Sequence, residues 1–216
     1  MSLVTDGFDV GSLSLSPIDS GTSILLTGDD TRALKTVFAK LVAAEDDERS
    51  IVLATDAGGR SIQRDLDDAR PGAGSRASVL TCEGPATGDD IQSVDDISDL
   101  TRLGMDFSTL VASAQQHSDH FRSGIMLCST IASEVEDTRS LYRFLNSNFL
   151  TELRRGDGIG VCALDTSADI GADMDSTISG LQTSFAAHIE VEKTSPGQAT
   201  LTIDGLDGEG TVDVDL

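Results

Sequence analysis

SILLTGDDTRALKT, residues 23–36, contains the change of hydrophobic period on which the fold turns. Residues 23–27 form a short apolar run closed by Gly28 and two aspartates, the mark of a strand buried on both faces. Beyond Thr31, Leu34, Val37, Phe38 and Leu41 recur at spacings of three and four, so the strand feeds an amphipathic helix. The same alternation continues down the chain. Residues 51–55 (IVLAT), 77–82 (ASVLTC), 124–129 (GIMLCS) and 159–164 (IGVCAL) read as further strands. Leu141, Phe144, Leu145 and Leu153 form a second helical stripe behind a cap at Asp137, and Arg154 and Arg155 sit where cations favour a helix C-terminus. After Phe185 the pattern becomes strict alternation: Ile189 and Val191, Leu201 and Ile203, Val212 and Val214, with turns at 195–197 and around Asp207-Gly208. The expectation is an α/β fold: a mainly parallel sheet flanked by helices, with 23–27, 124–129 and 159–164 central and antiparallel strands at the C-terminal edge. Residues 70–76 and 83–90, rich in Gly, Pro and acid, read as surface loops rather than linkers, so residues 1–216 are expected to form a single domain.

Composition narrows the class. Asp and Glu number 37 against 15 Lys and Arg, a formal charge of −22, yet 38% of residues are hydrophobic, too many for a disordered polyacid. Most of the carboxylates are the short Asp, paired at 29, 46, 67, 89 and 95, and the only lysines are Lys35, Lys40 and Lys193. That texture resembles proteins of extreme halophiles, in which molar salt screens repulsion between like charges. No run approaches the roughly 18 apolar residues of a membrane span, and the start, MSLVTDGFDV, lacks the basic and apolar regions of a signal peptide. A cytoplasmic protein with no membrane partner is expected. With Trp absent, Tyr single and no basic patch, no nucleic-acid partner is expected either.

The thiols and imidazoles give no strong site. Cys82, Cys128 and Cys162 are odd in number and widely spaced, so reduced thiols are the default and Cys128 reads as a small core residue of an apolar strand. His117 and His120 stand at helical spacing beside Asp119, and solvent-facing imidazoles at a helix end are favoured over a metal pair. No metal ligands are assigned.

A P-loop needs a strand running into GxxxxGK[ST] and a helix, so that backbone N–H groups wrap phosphates, Lys reaches the terminal phosphates and Ser/Thr holds Mg²⁺. Here Gly28, Lys35 and Thr36 supply the frame, but six residues separate Gly28 from Lys35 and Leu34 stands at the second glycine. A lysine on the solvated side of an amphipathic helix is the plainer role for Lys35.

Taken with Asp99-Leu100-Thr101-Arg102-Leu103-Gly104-Met105, the GIMLCST strand, Leu141-Tyr142-Arg143-Phe144-Leu145 and Leu153-Arg154-Arg155-Gly156-Asp157-Gly158-Ile159-Gly160, this stretch resembles the KaiC/RadA-like branch of the RecA superfamily. More narrowly, the chain resembles a degenerate haloarchaeal offshoot of it. The resemblance implies a RecA-like domain, a Walker B carboxylate on the GIMLCST strand, where this chain has Cys128, and a catalytic carboxylate after the strand that follows the P-loop helix, where Asp56 stands. It also implies self-contact, hence a homo-oligomer. Two functions follow. The first is a non-catalytic regulatory or scaffolding protein acting through protein contacts, with no cofactor. The alternative is a divergent ATPase in which Gly28, Lys35 and Thr36 hold ATP and Mg²⁺ and Asp56 orients water.

Overall fold

The computed structural model describes residues 7–135, 137–208 and 210–216; most of the N-terminal MSLVTDGFDV, residues 1–6, lies outside them. The strands are β1 (Gly7–Phe8), β2 (Ile18–Asp19), β3 (Ser23–Gly28), β4 (Arg49–Gly58), β5 (Ala77–Glu83), β6 (Ile91–Ser93), β7 (His120–Met126), β8 (Asp157–Asp165), β9 (Ala187–Ser195), β10 (Gln198–Asp204) and β11 (Gly210–Asp215). The helices are α1 (Thr31–Val42), α2 (Gly59–Ala69), α3 (Leu100–Gln115), α4 (Cys128–Glu134), α5 (Thr138–Phe144), α6 (Leu150–Arg155) and α7 (Met174–Gln182), with a π-helical turn at Leu145–Phe149.

Nine strands form one sheet in the order β11-β10-β9-β3-β8-β7-β4-β5-β6. The run from β9 to β6 is parallel, whereas β10 and β11 each pair antiparallel with their neighbours. The expected centre, β3, β8 and β7, is the observed one. Of the C-terminal strands, β9 differs from expectation in direction, extending the parallel set beside β3 before the chain reverses at Gly197.

Every residue of β3 is buried because both sheet faces are covered. Side chains alternate across a strand, so Ile24 and Leu26 join a layer with Leu34, Val37, Phe38 and Leu41 of α1, while Leu25 faces Phe107 of α3 and Phe149. Each such side chain contributes about 1.5–3 kcal/mol when fully buried. Gly124 of β7 makes room for α1 on the sheet: a Cβ there would lie 2.4 Å from Cζ of Phe38. Asp137 caps α5, its Oδ1 accepting from Ser140 N at 2.8 Å, and Arg154 and Arg155 close α6, as the sequence implies.

Two expectations fail locally. The strand predicted over 124–129 ends at Met126, because Leu127 takes a left-handed conformation (φ 60°, ψ 66°) and Cys128 opens α4. An apolar run does not by itself separate a strand from a buried helical turn. His117 and His120 share no helix: α3 stops at Gln115, His117 caps its end on Ser113 O, and His120 begins β7 with Nδ1 3.3 Å from Asp157.

Candidate functional site

In a parallel α/β sheet the crevice lies beyond the carboxyl ends of the strands, where the connections leave in opposite directions. Here that edge is made by Gly28 of β3, Asp165 of β8, the 127–130 turn after β7 and Asp56 near the end of β4. Only Asp29 and Asp30 separate β3 from α1. A turn of two residues has no length to wrap a phosphate. Asp30 is the helix cap: its Oδ1 accepts from Ala33 N at 2.8 Å, and its Oδ2 meets Lys193 Nζ of β9 at 2.6 Å. The Lys193 contact, followed by the Ala33 N–H, holds the Asp30 carboxyl below its ordinary pKa. The N–H groups that would receive an anion therefore face a carboxylate of the chain itself.

Gly28 has a structural role at this turn. A Cβ there would stand 2.8 Å from the carbonyl oxygen of Val191, so glycine lets β3 and β9 pass closely, and its φ is not positive. Leu34, at the second glycine of the motif, is fully buried on the core face of α1. Lys35 lies a full turn inside α1 and pairs with Asp56, Nζ to Oδ2, at 2.5 Å. Thr36 Oγ1 donates to Arg32 O of its own helix at 3.0 Å. The structure thus brings Lys35 and Asp56 together, and the lysine the motif would aim at phosphate faces the carboxylate expected to orient water.

Asp165, which the sequence reading passes over, organises the edge. It is buried at the end of β8 in register with Gly28. Its Oδ2 accepts from the Thr31 hydroxyl, and its Oδ1 from Ser167 N at 2.9 Å and Ser167 Oγ at 2.6 Å. Ser129 Oγ accepts from Asp165 N at 3.3 Å, and Thr166 N donates to Gly28 O at 2.9 Å. The signal available was its place, an acid directly after the apolar run 159–164.

At the end of β7, Leu127 sits in a left-handed conformation costing about 1–2 kcal/mol for a residue with a Cβ. The Thr55 hydroxyl, 2.8 and 2.9 Å from the carbonyl oxygens of Met126 and Leu127, holds the turn in place. Cys128, where the resemblance puts a Mg²⁺-holding carboxylate, is fully buried in the first turn of α4. It neighbours Cys162 of β8, whose thiol is pushed well up by burial and, second, by the Cys128 sulfur. Cys82 lies on β5, apart from both, its half-buried thiol raised to about 11 by burial and then by Glu83. Among the described residues no group of three His, Cys, Asp or Glu side chains is placed to hold a metal.

Residues 21–191 match the model of a family described as Family of unknown function (DUF7504). The chain belongs to DUF7504. The matched region runs from just before β3 into β9 and takes in Gly28, Asp30, Asp56, the 127–130 turn and Asp165, leaving out Lys193 with β1, β2, β10 and β11. No curated protein matches this DUF7504 chain. Its fold is similar to that of a KaiC-like protein from the hyperthermophilic archaeon Pyrococcus horikoshii OT3, with a TM-score of 0.56 and 13% identity over 91% of this chain and 90% of that one. It is also similar to an uncharacterized protein from Pyrococcus horikoshii in complex with an unknown peptide, with a TM-score of 0.62 and 10% identity over 88% of this chain and 86% of that one. The DUF7504 chain therefore has a RecA-like, KaiC-like α/β fold. None of its described helices is long and apolar enough to cross a membrane.

Proposed function

We propose that this DUF7504 chain is a degenerate RecA/KaiC-like domain of a halophilic archaeon that does not turn over ATP and acts as a regulatory or scaffolding protein through protein contacts. The observation that carries this reading is the two-residue turn between β3 and α1, where the Asp30 carboxylate sits at the helix N-terminus, accepting from the Ala33 N–H and pairing with Lys193. A phosphate brought to this turn meets Asp29 and Asp30, and a like-charge contact at 4 Å costs about 4 kcal/mol at an effective dielectric near 20, less in salt. Lys35 is held by Asp56, and Cys128, whose soft sulfur is fully buried, is a poor partner for a hard cation such as Mg²⁺. Contact with other proteins has a parallel in the Pyrococcus horikoshii neighbour that carries a peptide.

The test is phosphate release and thermal shift with ATP and Mg²⁺ in molar KCl, on the native chain and on Lys35→Ala. No release above background and no shift in either protein are expected. Turnover in the native chain that disappears in Lys35→Ala establishes instead an ATPase holding ATP at Gly28, Lys35 and Thr36, with Asp56 as its catalytic carboxylate. The same reading includes self-association, and light scattering in molar KCl is expected to give a dimer or larger species. A strict monomer at high protein concentration refutes that part.

A further inference from the structure

We propose that the groove between α3 and α5 is a docking site for a partner-protein segment in which an apolar side chain is flanked by lysine or arginine. The proposal rests on the protein-contact reading above and names the surface and chemistry of that contact. The groove has a volume of about 780 Å³. Leu100, Val135 and Phe144 line it and belong to, or pack against, the core layer under α3. Met105 stands in it 64% exposed, the one large hydrophobic side chain left so open among the described residues. An exposed apolar side chain beside a groove that runs into the core has the form of an anchor pocket.

The charge at the rim selects the occupant. Glu134 is exposed and has no ion-pair partner among the described residues. Asp99 and Asp137 each use Oδ1 to cap a helix, accepting from Arg102 N at 3.0 Å and Ser140 N at 2.8 Å, and each retains a second carboxylate oxygen. Among the described residues Arg143 is the single cation lining the groove; Arg102, which bonds Asp106, and Arg139 lie outside the lining but act on Asp99 and Asp137. Three carboxylates against one guanidinium complement a cationic segment. They also disfavour a second copy of this chain bound through the same face, which would set six carboxylates against two guanidiniums. The wall on the α5 side continues into the wide turn Leu145–Phe149, where the Asn148 amide packs so close to α3 that a Cβ on Gly104 would lie 2.3 Å from its Nδ2. Single π turns of this kind concentrate at functional sites.

The experiment uses the full chain in 1 and 3 M KCl and three fluorescent peptide pools, read by anisotropy. One pool has a varied apolar centre flanked by lysines, one the same centres flanked by glutamates, and one lysines without an apolar residue. The first pool is expected to bind at least tenfold more tightly than the pool without an apolar residue at both salts, and about threefold more tightly than the glutamate-flanked pool in 1 M KCl, a margin that narrows at 3 M. Met105→Asp is expected to lower that binding at least tenfold with an unchanged thermal midpoint, and Glu134→Lys about threefold, less at the higher salt. Equal binding by all pools, or binding that Met105→Asp leaves intact, overturns the groove. Loss of self-association in Met105→Asp, with peptide binding absent, overturns it in favour of a second copy. ATP turnover, measured separately, overturns the non-catalytic reading whichever way the peptides behave.

Discussion

Arg122→Ala is expected to destabilise the chain by about 3–5 kcal/mol, the usual cost of removing one partner from a buried ion pair. Arg122 of β7 is fully buried beneath the N-terminal segment. Its Nε and Nη2 both donate to the Glu48 carboxylate, the latter at 3.1 Å, while Nη1 donates to Leu41 O at 3.2 Å and Nη2 to Asp9 O at 3.0 Å. The ring of Phe8 lies 5.5 Å from its guanidinium carbon. One side chain thus ties the end of α1, the loop before β4 and the segment after β1 to a central strand. Alanine removes all four bonds and leaves Glu48, itself buried, with the Glu45 N–H as its remaining donor among the described residues. Urea unfolding in molar KCl measures the loss. At roughly 2–4 °C per kcal/mol for a chain of this size, the thermal midpoint is expected to fall by about 10 °C. The double variant Arg122→Met with Glu48→Gln, which leaves no buried charge and keeps an acceptor for Glu45 N, is expected to recover at least half of the loss. A single variant within 1 kcal/mol of the native chain contradicts this account.

Arg122 also marks what the sequence conceals. The apolar run 124–129 reveals a central strand, but nothing in the run shows that the arginine just before it is buried. A buried arginine is legible only through its partners, and these come from residues 9, 41 and 48. The central strands were legible because each is a short apolar run buried on both faces, and α1 because its stripe is regular. Leu127 was not. Its left-handed backbone is imposed by the turn into α4 and by the Thr55 hydroxyl from a neighbouring strand, not by the character of leucine.

The crevice divides in the same way. Gly28, Lys35 and Asp56 were visible as residue types at an approximate spacing, and the structure does bring Lys35 and Asp56 into contact. Spacing did not show that they contact each other. Asp30 as a cap is a local property, legible in principle from an acid placed directly before a helix. Its second partner, Lys193, lies 163 residues away on β9 and becomes a neighbour only because β9 runs parallel beside β3. Asp165 is similar, since its meaning depends on Gly28 of the adjacent strand and on Thr31 at the start of the helix that follows that strand. Parallel sheets build such sites from segments far apart in sequence, so a one-dimensional reading recovers candidates rather than contacts.

Thermal stability is expected to rise steeply from 0.1 M towards 2 M KCl. With 37 carboxylates and 15 cations, at least 22 carboxylates have no counter-charge in the chain, however the ion pairs are arranged. Two carboxylates 7 Å apart in water repel by about 0.6 kcal/mol unscreened, about 0.3 kcal/mol at a Debye length near 10 Å, and under 0.1 kcal/mol at a Debye length near 3 Å. Even one close like-charge neighbour for each unbalanced carboxylate makes the difference between 0.1 and 1 M salt a few kcal/mol, a large part of a typical total stability of about 5–15 kcal/mol. The midpoint is therefore expected to move up by about 10 °C or more. Salt also strengthens apolar burial, so the measurement needs a control that separates the two effects. Molar sucrose is excluded from protein surface without screening charge, and it is expected to reproduce only a minor part of the shift. Replacing exposed aspartates that cap no helix with asparagine, Asp89 for instance, is expected to flatten the salt dependence by lowering the charge that salt must screen. A midpoint that stays level from 0.1 to 2 M KCl, or one that sucrose raises equally, shows that the −22 charge does not govern the stability of this fold.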